Sequence, residues 1–135
     1  MASAFQNITL ASFLTGGINL SSDTIKVRLN RTSAHAFSQS DDFLNDLAAA
    51  IVADVTLGSK AVATTSSDGG TFDAADAVFT AVPAGAAIDS LYIYKDTGVS
   101  TTSPIIAYID GFSVTPNGGD ITIQWQATNP FIFKI

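Results

Sequence analysis

The closing third of the chain most constrains its fold, because apolar runs there alternate with turn chemistry. Ser103-Pro104-Ile105-Ile106-Ala107-Tyr108-Ile109-Asp110-Gly111 is followed by Asn117-Gly118-Gly119-Asp120-Ile121-Thr122-Ile123-Gln124-Trp125 and then by Pro130-Phe131-Ile132-Phe133-Lys134-Ile135. Short runs rich in Ile, Phe, Tyr and Trp, bounded by Gly, Asn and Asp, read as strands. Asp110-Gly111 and Asn117-Gly118-Gly119 read as hairpin signals, since these residues tolerate positive φ. The last run carries apolar side chains on both faces. A strand of that kind is central in a sheet, covered by a neighbour, or added across a subunit boundary.

Upstream, residues 24–30 give the clearest alternation. Ile25, Val27 and Leu29 share one face, and Lys26, Arg28 and Asn30 the other, which predicts one side on a core and one side wet. Residues 87–95 predict a strong strand, with Tyr92 and Tyr94 on one face. Residues 59–65 and 77–82 predict two more. Residues 4–14 have helical spacing and end at Gly16-Gly17, where a helix stops. Residues 40–51 predict a second helix of two to three turns, with Ser40 as N-cap and Asp41 and Asp42 at the positive end of its dipole. The stretch from Val52 is irregular, then extended. The sum is a mainly-β, single-domain antiparallel β-sandwich or jelly-roll-like fold, with about seven or eight strands and one or two short helices. One domain over residues 1–135 suits the length.

Charge narrows the partners. The twelve acids are all Asp, against six basic residues, for a net charge of −6. Asp favours turns and caps rather than helix interiors. An acidic chain lacks the cation density that phosphate contacts need, which argues against nucleic acid. Lys26, Arg28 and Arg31 form the one local basic group and read as a solvated strand face. No window is apolar enough over about 18 residues to span a membrane, and the start lacks the basic segment of a signal peptide. There is no cysteine, hence no disulfide or thiol chemistry. Charged residues make up only 13% of the chain, so its surface relies on Ser, Thr, Asn and Gly, or part of it is covered in the working state.

Catalytic chemistry finds little to work with. The single histidine, His35, lies in a Thr-Ser-Ala-His-Ala loop without a nucleophile elbow nearby and reads as a surface or packing residue. Asp68, Asp73 and Asp76 miss the spacing of a calcium loop, and Asp73 and Asp76 read as turn caps. The paired glycines do not make a phosphate-binding pattern. No enzyme activity, cofactor or metal is therefore expected. Tyr92, Tyr94, Tyr108 and Trp125 would make a sugar-stacking platform if exposed in a row, but read first as core or interface packing. Apolar residues reach both ends, so Phe5, Ile8, Phe13, Phe131, Phe133 and Ile135 are the candidate contacts between subunits.

The ordered motifs carry a resemblance. Gly16-Gly17-Ile18-Asn19-Leu20, Thr24-Ile25-Lys26-Val27-Arg28-Leu29 and Asp42-Phe43-Leu44 are followed by Thr71-Phe72-Asp73-Ala74-Ala75-Asp76 and Tyr92-Ile93-Tyr94-Lys95-Asp96-Thr97-Gly98. The runs from Ser103 to Asp110 and from Asn117 to Trp125, with Ile132-Phe133-Lys134-Ile135, complete the set. From about Phe13 to the end, this resembles small virion structural proteins of tailed bacteriophages. Between Val52 and Ala61 it departs from the Gly-rich, Tyr-containing segment of that group. The resemblance implies a non-enzymatic head decoration, or cement, protein that binds and stabilises the major capsid lattice. The implied partners are the major capsid protein and copies of itself, as a dimer or trimer, with no nucleic acid and no membrane. The implied location is the outer capsid surface of the virion, after synthesis in the host cytoplasm. A tail or baseplate component, or a carbohydrate-binding adhesion module on the virion, is the alternative.

Overall fold

The computed structural model describes residues 3–5, 7–47, 53–63, 69–125 and 132–134. In chain order the elements are β1 (Ser3–Phe5), α1 (Asn7–Thr15), β2 (Ile25–Asn30), β3 (Asp54–Thr56), β4 (Ala61–Val62), β5 (Thr71–Asp73), β6 (Ala77–Phe79), β7 (Ile88–Lys95), β8 (Ile105–Val114), β9 (Ile121–Ile123) and β10 (Phe133–Lys134). Two 3₁₀ turns, Leu44–Asp46 and Ser100–Thr102, complete the set. The chain is mainly β, as expected. Each stretch expected to be a strand contains one, and the short β1, β3 and β5 add to them.

Three sheets form. One has the order β1-β8-β7-β2-β3, one β10-β5-β4, and β6 pairs with β9. Every pairing is antiparallel. The β2–β7 register runs unbroken from Ile25↔Lys95 to Asn30↔Ser90. Because strand side chains alternate, that register sets Ile25, Val27, Leu29, Leu91 and Ile93 on one face. These pack with Phe72, Phe79, Ile121, Ile123, Trp125 and Phe133 from the smaller sheets in one core. Each fully buried aliphatic side chain there contributes about 1.5–3 kcal/mol.

The opposite face departs from the sequence reading. It is not simply wet: Asn30 is buried, and Lys26 and Arg28 are half-buried. Its partners across β7, namely Ser90, Tyr92 and Tyr94, are buried as well. A cover made by residues 31–47 explains the burial at one end.

That cover corrects the expected helix over residues 40–51. Among its described residues only Leu44–Asp46 are helical, as a single 3₁₀ turn; residues 48–51 lie outside the description. Competing hydrogen bonds explain the difference. The Asp46 carboxylate accepts the N–H groups of Asp42 and Phe43 at 2.8 and 3.1 Å. Ile105 N–H donates to Asp42 O, and Leu44 N–H donates to Ser103 O. Backbone groups that a helix would have paired internally are held by a neighbouring strand instead.

The N-terminal helix is present but starts later than expected, because Ser3–Phe5 pairs with Ile109–Ala107 of β8. Helix α1 closes in a Schellman cap: Gly16 sits at φ 77° and Gly17 N–H donates to Ser12 O at 2.8 Å. The Asp110-Gly111 hairpin expected from sequence is instead a bulge within β8. Ser90 faces Asp110 while Ile88 faces Val114, so residues 111–113 oppose Asp89 alone, and Gly111 takes φ 88°. Asn117-Gly118-Gly119 does turn the chain, yet β9 then pairs with β6 rather than returning along β8.

Phe72 is wholly buried at the centre of its sheet, its ring 5.3 Å from that of Phe133. Phe72→Ala is expected to cost about 3–5 kcal/mol, through lost burial and a cavity. Leu14→Ala, at a position 89% exposed, is expected to stay within about 0.5 kcal/mol. Urea unfolding midpoints at unchanged slope check both.

Candidate functional site

The outer face of the β3-β2-β7-β8 surface gathers most of the polar chemistry. At one end Arg28 is fixed by its cross-strand neighbour, since β2 and β3 pair Arg28 with Asp54. Its Nε and Nη2 donate to the two Asp54 oxygens at 2.6 and 2.8 Å. The guanidinium carbon lies 5.7 Å from the centre of the Tyr94 ring. The Asp54 hydrogen bond holds the Arg28 proton more firmly, against the opposing effect of burial. Lys26 pairs with Asp96 at 2.8 Å. That hydrogen bond, with one from Gly98 N–H, keeps the Asp96 carboxyl below its ordinary range. Lys95 bridges Asp23 at 3.2 Å and donates to Gly17 O at 3.0 Å. Arg31 Nε donates to Ala86 O at 2.8 Å. The basic group expected to be a solvated face is thus tied, residue by residue, to carboxylates and carbonyls.

At the other end lies the cover. His35 Nε2 meets Asp41 Oδ2 at 2.8 Å, and its ring stands edge-on to Tyr92 at 6.2 Å. Asn30 Nδ2 donates to His35 O at 3.0 Å and to Ser90 Oγ at 2.9 Å. Phe37 stacks on Tyr108 at 4.8 Å, and Tyr108 touches Tyr92 at 5.2 Å. Leu47 and Ile105 close this second, smaller core. His35 therefore serves as a clasp for residues 31–47, consistent with a packing role. The hydroxyl of Tyr92 and Oδ1 of Asn30 are buried without a hydrogen-bond partner among the described residues. Burial, reinforced by the negative charges of Asp41 and Asp54 respectively, raises the pKa values of Tyr92 and Tyr94. Burial and Asp110 raise that of Tyr108.

Among the described residues, the candidate subunit contacts fall on different elements. Phe5 falls on β1, opposite Ala107, and Ile8 falls on α1. Phe13 is half-buried and packs on the main core. Phe133 is 3% exposed and paired with β5 of its own chain, which leaves its ring no surface for a neighbour. Phe131 and Ile135 lie outside the described residues. Among the described residues, the large apolar side chains that face outward are Leu10, Leu14, Val62, Val78 and Val99.

Tyr92, Tyr94, Tyr108 and Trp125 are all buried, at 0, 2, 7 and 8% exposure. No stacking platform is left by them. Asp76 accepts Trp125 N–H at 3.1 Å, and Trp125 Nε1 donates to Ala75 O at 3.1 Å, so Asp76 ties the stretch before β6 to the stretch just after β9. Asp68 lies outside the described residues, and among those described no group of three acids or histidines converges on a metal position. Sequence reasoning missed Asp54 and Asp41, the two carboxylates that organise this face. Their partners are set by register and by the folding back of residues 31–47, and no local spacing announces either. No family model, curated protein or solved structure matches the chain.

The phenols give a test with a definite sign. Unfolded tyrosines ionise near pH 10. The folded pKa values are raised, so the stability these groups contribute is present below about pH 10 and falls as pH rises beyond it. Tyr92→Phe removes a buried hydroxyl that has no hydrogen-bond partner among the described residues. It is expected to leave stability at pH 7 unchanged or raise it by up to about 1 kcal/mol. It is also expected to flatten the loss between pH 10 and pH 12. Urea titrations across that range check both effects.

Proposed function

We propose that this protein is a non-enzymatic structural component of a tailed-bacteriophage virion, a head decoration protein that binds the outer face of the major capsid lattice and stabilises it. In this reading it is a β-sandwich of jelly-roll-like type, acting beside copies of itself. The observation that carries the proposal is the ordered motif set running from Gly16 to Ile135. Two structural features support it. The strands are tied into sheets around a shared core, with many cations engaged in local pairs, as suits a load-bearing module. The outward apolar residues suit repeated weak contacts, whose effects multiply on a lattice.

A tail or baseplate component is the second reading, because the same motifs support it. The carbohydrate-binding alternative loses its best support with the burial of the four aromatics.

Electron microscopy of labelled particles decides between head and tail. Density over the head surface is expected, and density confined to the tail favours the second reading. Capsids lacking the protein are expected to assemble and to release DNA at a temperature several degrees lower. Equal release temperatures with and without it would sink the cementing role.

A further inference from the structure

We infer that β1 and α1 form an arm that exchanges between copies of this chain. The acceptor is the outer edge of β8. In the closed molecule β1 occupies that edge through three residue pairs, Ser3↔Ile109, Ala4↔Tyr108 and Phe5↔Ala107. Helix α1 is anchored nearby, where the buried Thr9 hydroxyl donates to Ile105 O. Both of these hydrogen-bonded attachments fall on one stretch, 105–109, of one strand, and Phe13 adds packing against the main core. A second copy presents the same stretch in the same register, so every one of these contacts can be remade between chains.

The boundary of the arm lies at Gly16, crossed by the cap bond from Gly17 N–H to Ser12 O. Gly16 stands at φ 77°, exposed, with nothing within 4 Å of where a Cβ would be. Beyond it the chain is held by the body: Gly17 O accepts from Lys95 Nζ, and Ile18 and Leu20 are buried. A left-handed glycine between an edge element and a fixed body is a hinge by position. Exchange through a hinge preserves the closed contacts and adds whatever the two bodies gain by meeting.

The outer face of the arm supplies such a gain. Helix α1, Asn7-Ile8-Thr9-Leu10-Ala11-Ser12-Phe13-Leu14-Thr15, contains no charged residue. Leu10 and Leu14 lie exposed one turn apart on it. Two molecules of net charge −6 repel over most of their surfaces. An uncharged helix is where they approach without that penalty. High local concentration, as on any ordered array, favours the exchanged form over the closed one. The inference shares with the proposed function only the premise that copies of the chain meet.

The test uses purified full-length protein without capsids, so its outcome is separable from capsid binding. The chain has no cysteine, which makes Phe5→Cys with Ala107→Cys a clean reporter of the β1–β8 pair. Oxidation is expected to give disulfide-linked dimers that increase with protein concentration and revert on reduction. Gly16→Val strains the closed hinge, because a β-branched residue disfavours this φ. It is expected to raise the dimerisation constant at least about fivefold, read by size-exclusion chromatography with light scattering. Cross-links confined within single chains at every concentration would overturn the inference, as would an unchanged monomer–dimer balance in Gly16→Val. If the cysteine variant does not fold, the Gly16→Val balance decides alone.

Discussion

The pairing of β7 with its two neighbours is the constraint on which the rest depends. It lies between β2 and β8, and alternation along it separates two chemistries. Leu91 and Ile93 enter the main core, while Ser90, Tyr92 and Tyr94 face the other way. A slip by one residue would exchange these sets and bury phenols where aliphatic contacts belong. The irregularities of β8 accommodate the demand rather than relax it. Tyr94 faces Ile105 and Ile93 faces Ala107, so Ile106 is the extra residue of a bulge. It lets Ile105 join Tyr92 and Tyr108 beneath the cover, while Ile106 and Ala107 remain with the main core.

The outer face of that sheet is closed by two different means. Around Tyr94 it is charge: the Arg28–Asp54 fork and the Lys26–Asp96 pair stand beside an aromatic ring. Around Tyr92 it is chain: residues 31–47 fold back and are held by His35–Asp41, by Phe37 on Tyr108 and by backbone pairing to Ser103 and Ile105. The exposed ion pairs contribute modestly to stability, about 0–1 kcal/mol each. Their larger effect is positional, because the forked Arg28–Asp54 geometry fixes β3 against β2. An acidic chain with few cations thus uses several of them locally.

Local pattern was enough to read β2, β7 and the central part of β8, since each is a run of strand-forming residues bounded by turn chemistry. It failed where tertiary pairing competed with local preference. Ser40-Asp41-Asp42 has the composition of a helix start, yet Asp41 turns to His35 and the backbone of Asp42 serves Ile105. Asp110-Gly111 permits positive φ, but whether that makes a hairpin or a bulge depends on the strand opposite. The same limit applied to the candidate site. Phe133 is apolar and lies near a terminus, and that pattern does not reveal that β5 and Phe72 receive it. Leu14 was passed over although it is far more exposed.

This division bears on what the motif resemblance can carry. Its residues are largely those that build the interior: Ile25, Val27 and Leu29; Phe72; Tyr92, Ile93 and Tyr94; Ile105 to Ile109; Ile121, Ile123 and Trp125. Positions of this kind record how a sheet closes on its core. In the proposed lattice role a partner would meet other positions, those left facing outward, among them Leu10, Leu14, Val78 and Val99. Two chains sharing the interior set would share a scaffold and could still differ in what they bind, because fold and site are carried by different residues. In the proposed lattice role, partner choice would therefore rest on the proposed arm and the exposed apolar side chains, with the strands from β7 to β9 holding them in place.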